Sequence, residues 1–181
     1  MERSLRTIFI MLSFLATGYI VYASVNLKIQ NSEVFESETQ EVVTLAERTK
    51  QLECLAMNIY KEAGYEPFEG KVAVAQVTLN RVADADFPND VCGVVYQKSK
   101  GTKVVCQFSW YCDRVHKTRP VGGEAYEESY EVAKKVLLEN FKLESITKAL
   151  YYHADYVNPK WNKTKVAKIG RHIFYKNKNK N

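Results

Sequence analysis

Two glutamates, Glu62 and Glu66, stand on either side of Gly64, where an apolar helical stripe ends. Partial burial against apolar side chains penalises the charged form of a carboxyl group and raises its pKa. A carboxylic acid that keeps its proton near neutral pH is what glycosidic cleavage requires, because the leaving oxygen must be protonated as its bond breaks. Aromatic and amide side chains gather in two later stretches. The first is Gln107, Phe108, Ser109, Trp110 and Tyr111; the second is Tyr151, Tyr152 and His153, with Trp161 beyond. Such side chains suit a sugar-binding groove and equally suit a small core, so neither feature alone identifies an enzyme. The three histidines, His116, His153 and His172, are widely spaced and form no His-Glu-x-x-His motif. They are expected to be structural or groove-lining before metal ligands, and no metal or cofactor is expected.

The elements that must hold these side chains follow from periodicity. Leu52, Leu55, Ala56, Ile59, Tyr60 and Ala63 fall on one helical stripe, which Gly64 stops. Glu62 then lies roughly 80° from the stripe's centre, half in the core and half facing its neighbours. A second helix is expected from Pro67 towards Val82, since proline suits a first turn. A short third one follows Pro88, with Val91, Val94 and Val95 inward. Lys98–Lys103 reads as a basic loop and Thr118–Gly123 as another. Val104–Tyr111, rich in Val, Phe, Trp and Tyr, reads as extended. An amphipathic helix then carries Tyr126, Tyr130, Ala133, Val136, Leu137 and Phe141 on one side. Short strands are expected near Ala149–Tyr152 and His172–Tyr175. Mostly helices with a few segregated strands make an α+β fold.

With 181 residues, 46% of them hydrophobic and 26% charged, the chain is expected to hold one folded domain plus a targeting segment. Thr7–Leu27 is uncharged and follows Arg3 and Arg6, which suits a signal anchor or a cleaved signal with a small-residue site at Val21-Tyr22-Ala23. The domains expected are therefore 1–28 as anchor or signal, 29–49 as an acidic polar linker, and 50–181 as the folded domain. Either form of the segment delivers that domain across a membrane. Four cysteines, Cys54, Cys92, Cys106 and Cys112, fit an oxidising compartment and point to disulfides, with three pairings open. The net charge of +5 is uneven: Lys160–Asn181 holds eight basic residues and no acidic one. Such a tail attracts polyanions or an anionic surface, or is simply solvated. An exported domain has little occasion to meet nucleic acid, so that partner is not expected.

Ordered blocks carry a resemblance. Glu53 to Ala63, Glu66 to Gly70 and Val74 to Val82 resemble the SleB-like cell-wall hydrolases. The match continues through Phe87 to Gln97, Cys106 to Trp110 with Cys112-Asp113, Tyr152 to Val157, Pro159, Trp161, and Ile169 to Tyr175. The resemblance implies a small lysozyme-like catalytic domain whose acid is the glutamate of the Tyr-x-Glu-Ala block, here Glu62. Candidate substrate-binding residues within the blocks are Gln76, Asn80, Gln107, Phe108, Ser109, Trp110, Tyr152 and His153. The implied reaction is that of a lytic transglycosylase, cutting peptidoglycan between N-acetylmuramic acid and N-acetylglucosamine with a 1,6-anhydro product. Gly64-Tyr65 departs from the Arg-Gly that many members carry. No spore-cortex-binding repeat precedes the blocks, so an envelope enzyme or a phage lysis enzyme is expected, monomeric and held at the inner membrane or exported. The alternatives are a zinc amidase that cuts the muramoyl–alanine bond and a non-catalytic wall-binding protein on the same fold.

Overall fold

A computed structural model describes residues 2–99, 102 and 104–178, and the side chains of these except residues 2–16 and 31–43. The chain divides into two compact units, Met1–Glu47 and Arg48–Asn181. The first is helical, part of a helix α1 that runs Glu2–Ala63. The polar stretch 29–49, expected as a linker, thus has helical backbone. Its Glu, Gln, Leu and Ala residues favour helix by intrinsic propensity, even without a sustained apolar period. Among the described residues no helix is long and apolar enough to cross a membrane. The first half of the apolar segment Thr7–Leu27 lies outside the described side chains.

In the second unit, the last turns of α1 lead to α2 (Phe68–Val82), α3 (Val91–Val95), α4 (Ser109–Cys112), α5 (Arg114–Thr118) and α6 (Glu124–Leu137). A 3₁₀ turn at Glu144–Ile146 precedes β1 (Tyr151–Ala154), β2 (Lys163–Ile169) and β3 (His172–Asn177). The strands form one antiparallel sheet in the order β1-β3-β2. This part is mostly helical, with one small sheet.

The central helix is α2, and its composition explains why. Gly70 to Thr78 are all buried, and the small Ala73 and Ala75 allow neighbours close approach on several sides. Val72 and Ala75 pack with Leu52, Leu55, Ile59, Val94, Trp110 and Val136. Ala73 and Val77 serve a second cluster with Ile146, Ala149 and Phe174. A chain of buried hydrogen bonds pins three helices together. Trp110 Nε1 donates to Asn58 Oδ1 (3.1 Å), Asn58 Nδ2 to Thr78 Oγ1 (3.2 Å), and Thr78 Oγ1 to the Val74 carbonyl (3.1 Å). Because each buried polar atom has a partner, the chain fixes orientation without leaving a group unsatisfied. Two disulfides add to this: Cys54–Cys92 ties α1 to α3, and Cys106–Cys112 closes a short loop.

Two expectations are corrected, and two elements form where none was expected. The stretch Val104–Tyr111 contributes only an isolated bridge between Lys98 and Cys106 before turning helical at Ser109. Its β-forming side chains are overridden because the Cys106–Cys112 bridge, six residues apart, bends the chain back on itself. Arg114–Thr118, of which only Thr118 fell in an expected loop, forms α5, capped by the Asp113 carboxylate accepting from Val115 and His116 N–H. Phe141 lies beyond the end of α6, where it meets Phe68. Strand β2 had no counterpart in the expectations. Its lysines break the apolar alternation, and its place at the sheet edge requires little burial. Part of the expected Lys98–Lys103 loop and the last residues, 179–181, lie outside the described residues.

Gly170, in the β2–β3 turn, has φ +54°, and a Cβ there would lie 2.0 Å from Glu66 Oε2. The same oxygen accepts from the Arg171 N–H at 3.0 Å. Glu66 therefore ties the α1–α2 turn to the hairpin. Gly170→Ala is expected to destabilise the protein by about 1–3 kcal/mol through left-handed strain, plus the displacement of Glu66. Glu66→Gln, which keeps an acceptor oxygen, should cost far less. Urea midpoints of the two variants check this; equal midpoints would refute the tie.

Candidate active site

Glu62 lies one residue before the end of α1, where Gly64 turns the chain tightly; a Cβ at Gly64 would sit 2.5 Å from the Tyr60 carbonyl oxygen. Its carboxyl is half-buried between the helix and β1, as its place on the flank of the apolar stripe requires. Tyr152 Oη donates to Glu62 Oε2 at 3.0 Å. Burial raises the Glu62 pKa above the ordinary carboxylate value, and the Tyr152 hydrogen bond and the Arg81 charge oppose this without cancelling it. Burial and the neighbouring Glu62 push the Tyr152 phenol well up, so it stays a donor.

Arg81 is buried on α2, one turn beyond Val77 and Thr78. Its Nε donates to the Leu150 carbonyl at 2.8 Å, and its guanidinium lies over the rings of Phe108 and Phe87 at 5.1 and 5.4 Å. With its amide oxygen turned to the guanidinium, Gln107 accepts from both terminal nitrogens at 3.2 and 3.3 Å. A buried cation is thus held by fixed partners close to the carboxyl, where it favours the carboxylate once the proton has left.

Two cavities meet at Glu62. One, of about 540 Å³, is walled by Arg81, Gln107, Phe108, Ser109, Trp110, Tyr152 and His153. The other, of about 310 Å³, is walled by Tyr60, Gly64, Tyr65, Glu66, Arg119 and Arg171. Lys61, Glu62, His116, Ala154, Tyr156 and His172 belong to both, so the two are lobes of one groove with the acid at their junction. Lys61 Nζ donates to the carbonyls of His116 (2.8 Å) and Arg119 (3.3 Å), fixing the segment around α5 as one wall.

The profile of the cell wall hydrolase family matches residues 65–175. The chain belongs to the cell wall hydrolase family. That match begins three residues after Glu62. The spore cortex-lytic enzyme of Bacillus cereus is 35% identical over 129 residues, covering 69% of this chain and 44% of that protein. The enzyme of the same description from Bacillus subtilis is 32% identical over 128 residues, 66% of this chain and 35% of that protein. The chain therefore spans less than half the length of these relatives. Two solved structures are similar. The catalytic domain of the Bacillus cereus SleB protein aligns with a TM-score of 0.52 and 30% identity, covering 71% of this chain and 91% of that one. The catalytic domain of the germination-specific lytic transglycosylase SleB from Bacillus anthracis gives 0.51 and 32%, covering 70% and 93%.

In this member of the family, six of the eight candidate binding residues line the groove with Glu62: Gln107, Phe108, Ser109, Trp110, Tyr152 and His153. Their parts differ. Phe108 and Trp110 are buried, and the Trp110 N–H is already used by Asn58. Strand alternation turns Tyr152 towards Glu62 and its neighbour His153 to the opposite face. There the His153 ring stacks on Tyr175 (5.2 Å), and its nitrogens meet the Ala154 carbonyl and Tyr175 Oη at 2.8 and 2.9 Å. Gln76 and Asn80 line neither lobe. Gln76 is buried, giving its Nε2 to the Leu143 carbonyl (3.1 Å) and accepting the Leu143 N–H (2.7 Å). Asn80 donates to the carbonyls of Ile146 (3.1 Å) and Ala149 (2.8 Å). Both hold the segment before β1 by satisfying its backbone groups from α2. Arg81 had not been singled out. The signal was present: an arginine continuing the buried face of Val74, Val77 and Thr78 needs a reason to be there.

Proposed function

We propose that this chain cleaves the glycan strands of peptidoglycan between N-acetylmuramic acid and N-acetylglucosamine, as a lytic transglycosylase with Glu62 as its acid. The observation that carries the reading is a carboxyl with a raised pKa at the junction of a two-lobed groove, oriented by the Tyr152 hydroxyl. The Glu62 proton passes to the glycosidic oxygen as the bond to the anomeric carbon breaks. The substrate's own C6 hydroxyl then attacks that carbon and returns its proton to the Glu62 carboxylate, leaving a 1,6-anhydro end. Tyr152 and Arg81 stabilise the carboxylate between the two transfers.

This route needs no carboxylate nucleophile, unlike the two-carboxylate glycosidases. The other acids lining the groove are engaged: Glu66 with the Arg171 N–H, and Asp113 with the N-terminus of α5 and the His116 ring at 2.8 Å. The name of the Bacillus anthracis neighbour, a lytic transglycosylase, supports the same chemistry, and a lysozyme-like character fits a lone acid on a helix end. A zinc amidase would need ligands, and among the described residues no three His, Cys, Asp or Glu side chains converge to hold a metal ion. We place the domain outside the cytoplasm, tethered by or released from the apolar segment Thr7–Leu27, where disulfides persist. The setting is wall remodelling or phage-type host lysis, and the working unit is a monomer.

Mass analysis of muropeptides released by the protein tests the reading. Anhydro-muramyl ends that borohydride does not reduce are expected. Reducing ends would point to hydrolysis, and newly exposed alanine amino groups on intact glycan would support the amidase instead.

A further inference from the structure

The two lobes of the groove are chemically unlike. The larger is walled by aromatic and amide groups, and its one buried cation, Arg81, is held by Leu150 and Gln107. The smaller adds two cations of its own, Arg119 and Arg171, to Lys61, which lines both lobes. Burial and the nearby Arg119 both lower the Lys61 pKa, as expected where positive charges crowd. Arg119 has no carboxylate within ion-pair distance among the described residues. Arg171 has only a loose one, its Nε 3.7 Å from Asp155, and that acid is held more closely by Lys168 at 3.0 Å. Of the carboxyls on this lobe's wall, Glu62 has a raised pKa, and Glu66 turns its Oε2 to the Arg171 backbone N–H instead of pairing with a guanidinium. The cations of this lobe thus outnumber its carboxylates, and the Arg119 guanidinium has no carboxylate partner among the described residues.

Resting on the glycan-cleaving reading above, the geometry points to the smaller lobe as a subsite for the acidic peptide stem of peptidoglycan, with Arg119 and Arg171 receiving its carboxylates. The stem leaves the lactyl group of the muramic acid whose bond is cut, so it must emerge close to Glu62. Its glutamyl and diamino-acid carboxylates suit the planar, multidentate guanidinium groups. The lobe therefore makes the chain selective for stem-bearing strands, whereas the aromatic lobe reads the sugars.

Two measurements test this together. The first compares kcat/KM on native glycan strands with that on strands stripped of their stems by an amidase. Native strands should be cut about tenfold faster or more, and the double variant Arg119→Gln/Arg171→Gln should lose most of that preference, through KM. The second follows the binding of free L-alanyl-D-glutamyl-diaminopimelate to the Glu62→Gln protein by NMR, with shifts expected at Tyr65, Glu66 and Tyr156 of the same lobe and lost when Arg119→Gln and Arg171→Gln are added. Equal cleavage of native and stripped strands, an equal loss on both in the double variant, or no response to the free peptide would overturn the subsite. Peptide binding by a chain that cuts neither strand would retire the glycosidic reading and leave the subsite standing.

Discussion

Glu62→Gln is expected to reduce glycan cleavage by about 10²–10⁴-fold, the usual contribution of general acid catalysis, while leaving the fold in place. The amide keeps the size of the carboxyl and an oxygen to accept from Tyr152, yet carries no proton to give to the glycosidic oxygen. The raised pKa of Glu62 adds two pH signatures. Activity of the native protein should fall as pH rises through that pKa, at a higher pH than an ordinary carboxyl would set. Stability follows the same group. Between the ordinary carboxylate pKa and the raised one, the folded state binds more protons than the unfolded state, so stability falls as pH rises through that window. Glutamine has no such cost, and above the window the variant's Tm should equal or exceed that of the native protein. Near-normal lysis by a variant of unchanged Tm would end the catalytic assignment. A collapsed Tm would show that Glu62 is structural instead.

Removing the Cys54–Cys92 bridge by Cys54→Ser/Cys92→Ser is expected to cost about 4 kcal/mol, from the entropy released to a loop of 38 residues. That is a large part of the stability of a typical small domain. The short Cys106–Cys112 loop should matter less by the same reasoning, about 2 kcal/mol. Denaturant midpoints of the two paired-serine variants give the order, and thiol labelling of the unreduced, unfolded protein should find none of the four thiols free. Four reactive thiols in protein taken from its native compartment would contradict both the bridges and the oxidising compartment they imply.

Much of the site was legible in local pattern. The apolar stripe from Leu52 to Ala63 placed Glu62 at its margin, and that margin is where the structure half-buries it. The helix begun by Pro67, the short one after Pro88 and the amphipathic one through Val136 all form, since spacing along one element is enough to specify them. The blocks shared with the SleB-like hydrolases placed the amide and aromatic residues in the groove without saying which way each would face.

What the sequence by itself determined was the helix carrying Glu62, the even set of cysteines and the residue types that line the groove. These are local properties, decided within a few turns or by composition. Only the tertiary structure decided which cysteines pair, that Arg81 stands buried beside Glu62, and that Tyr152 rather than His153 meets the acid. It also set Gln76 and Asn80 against the backbone of the segment before β1, outside the groove, and it gathered Arg119 and Arg171 into one lobe. Each of these outcomes depends on contacts between segments tens of residues apart. No periodicity along the chain records such contacts, and the desolvation that raises the Glu62 pKa arises only once they close around it.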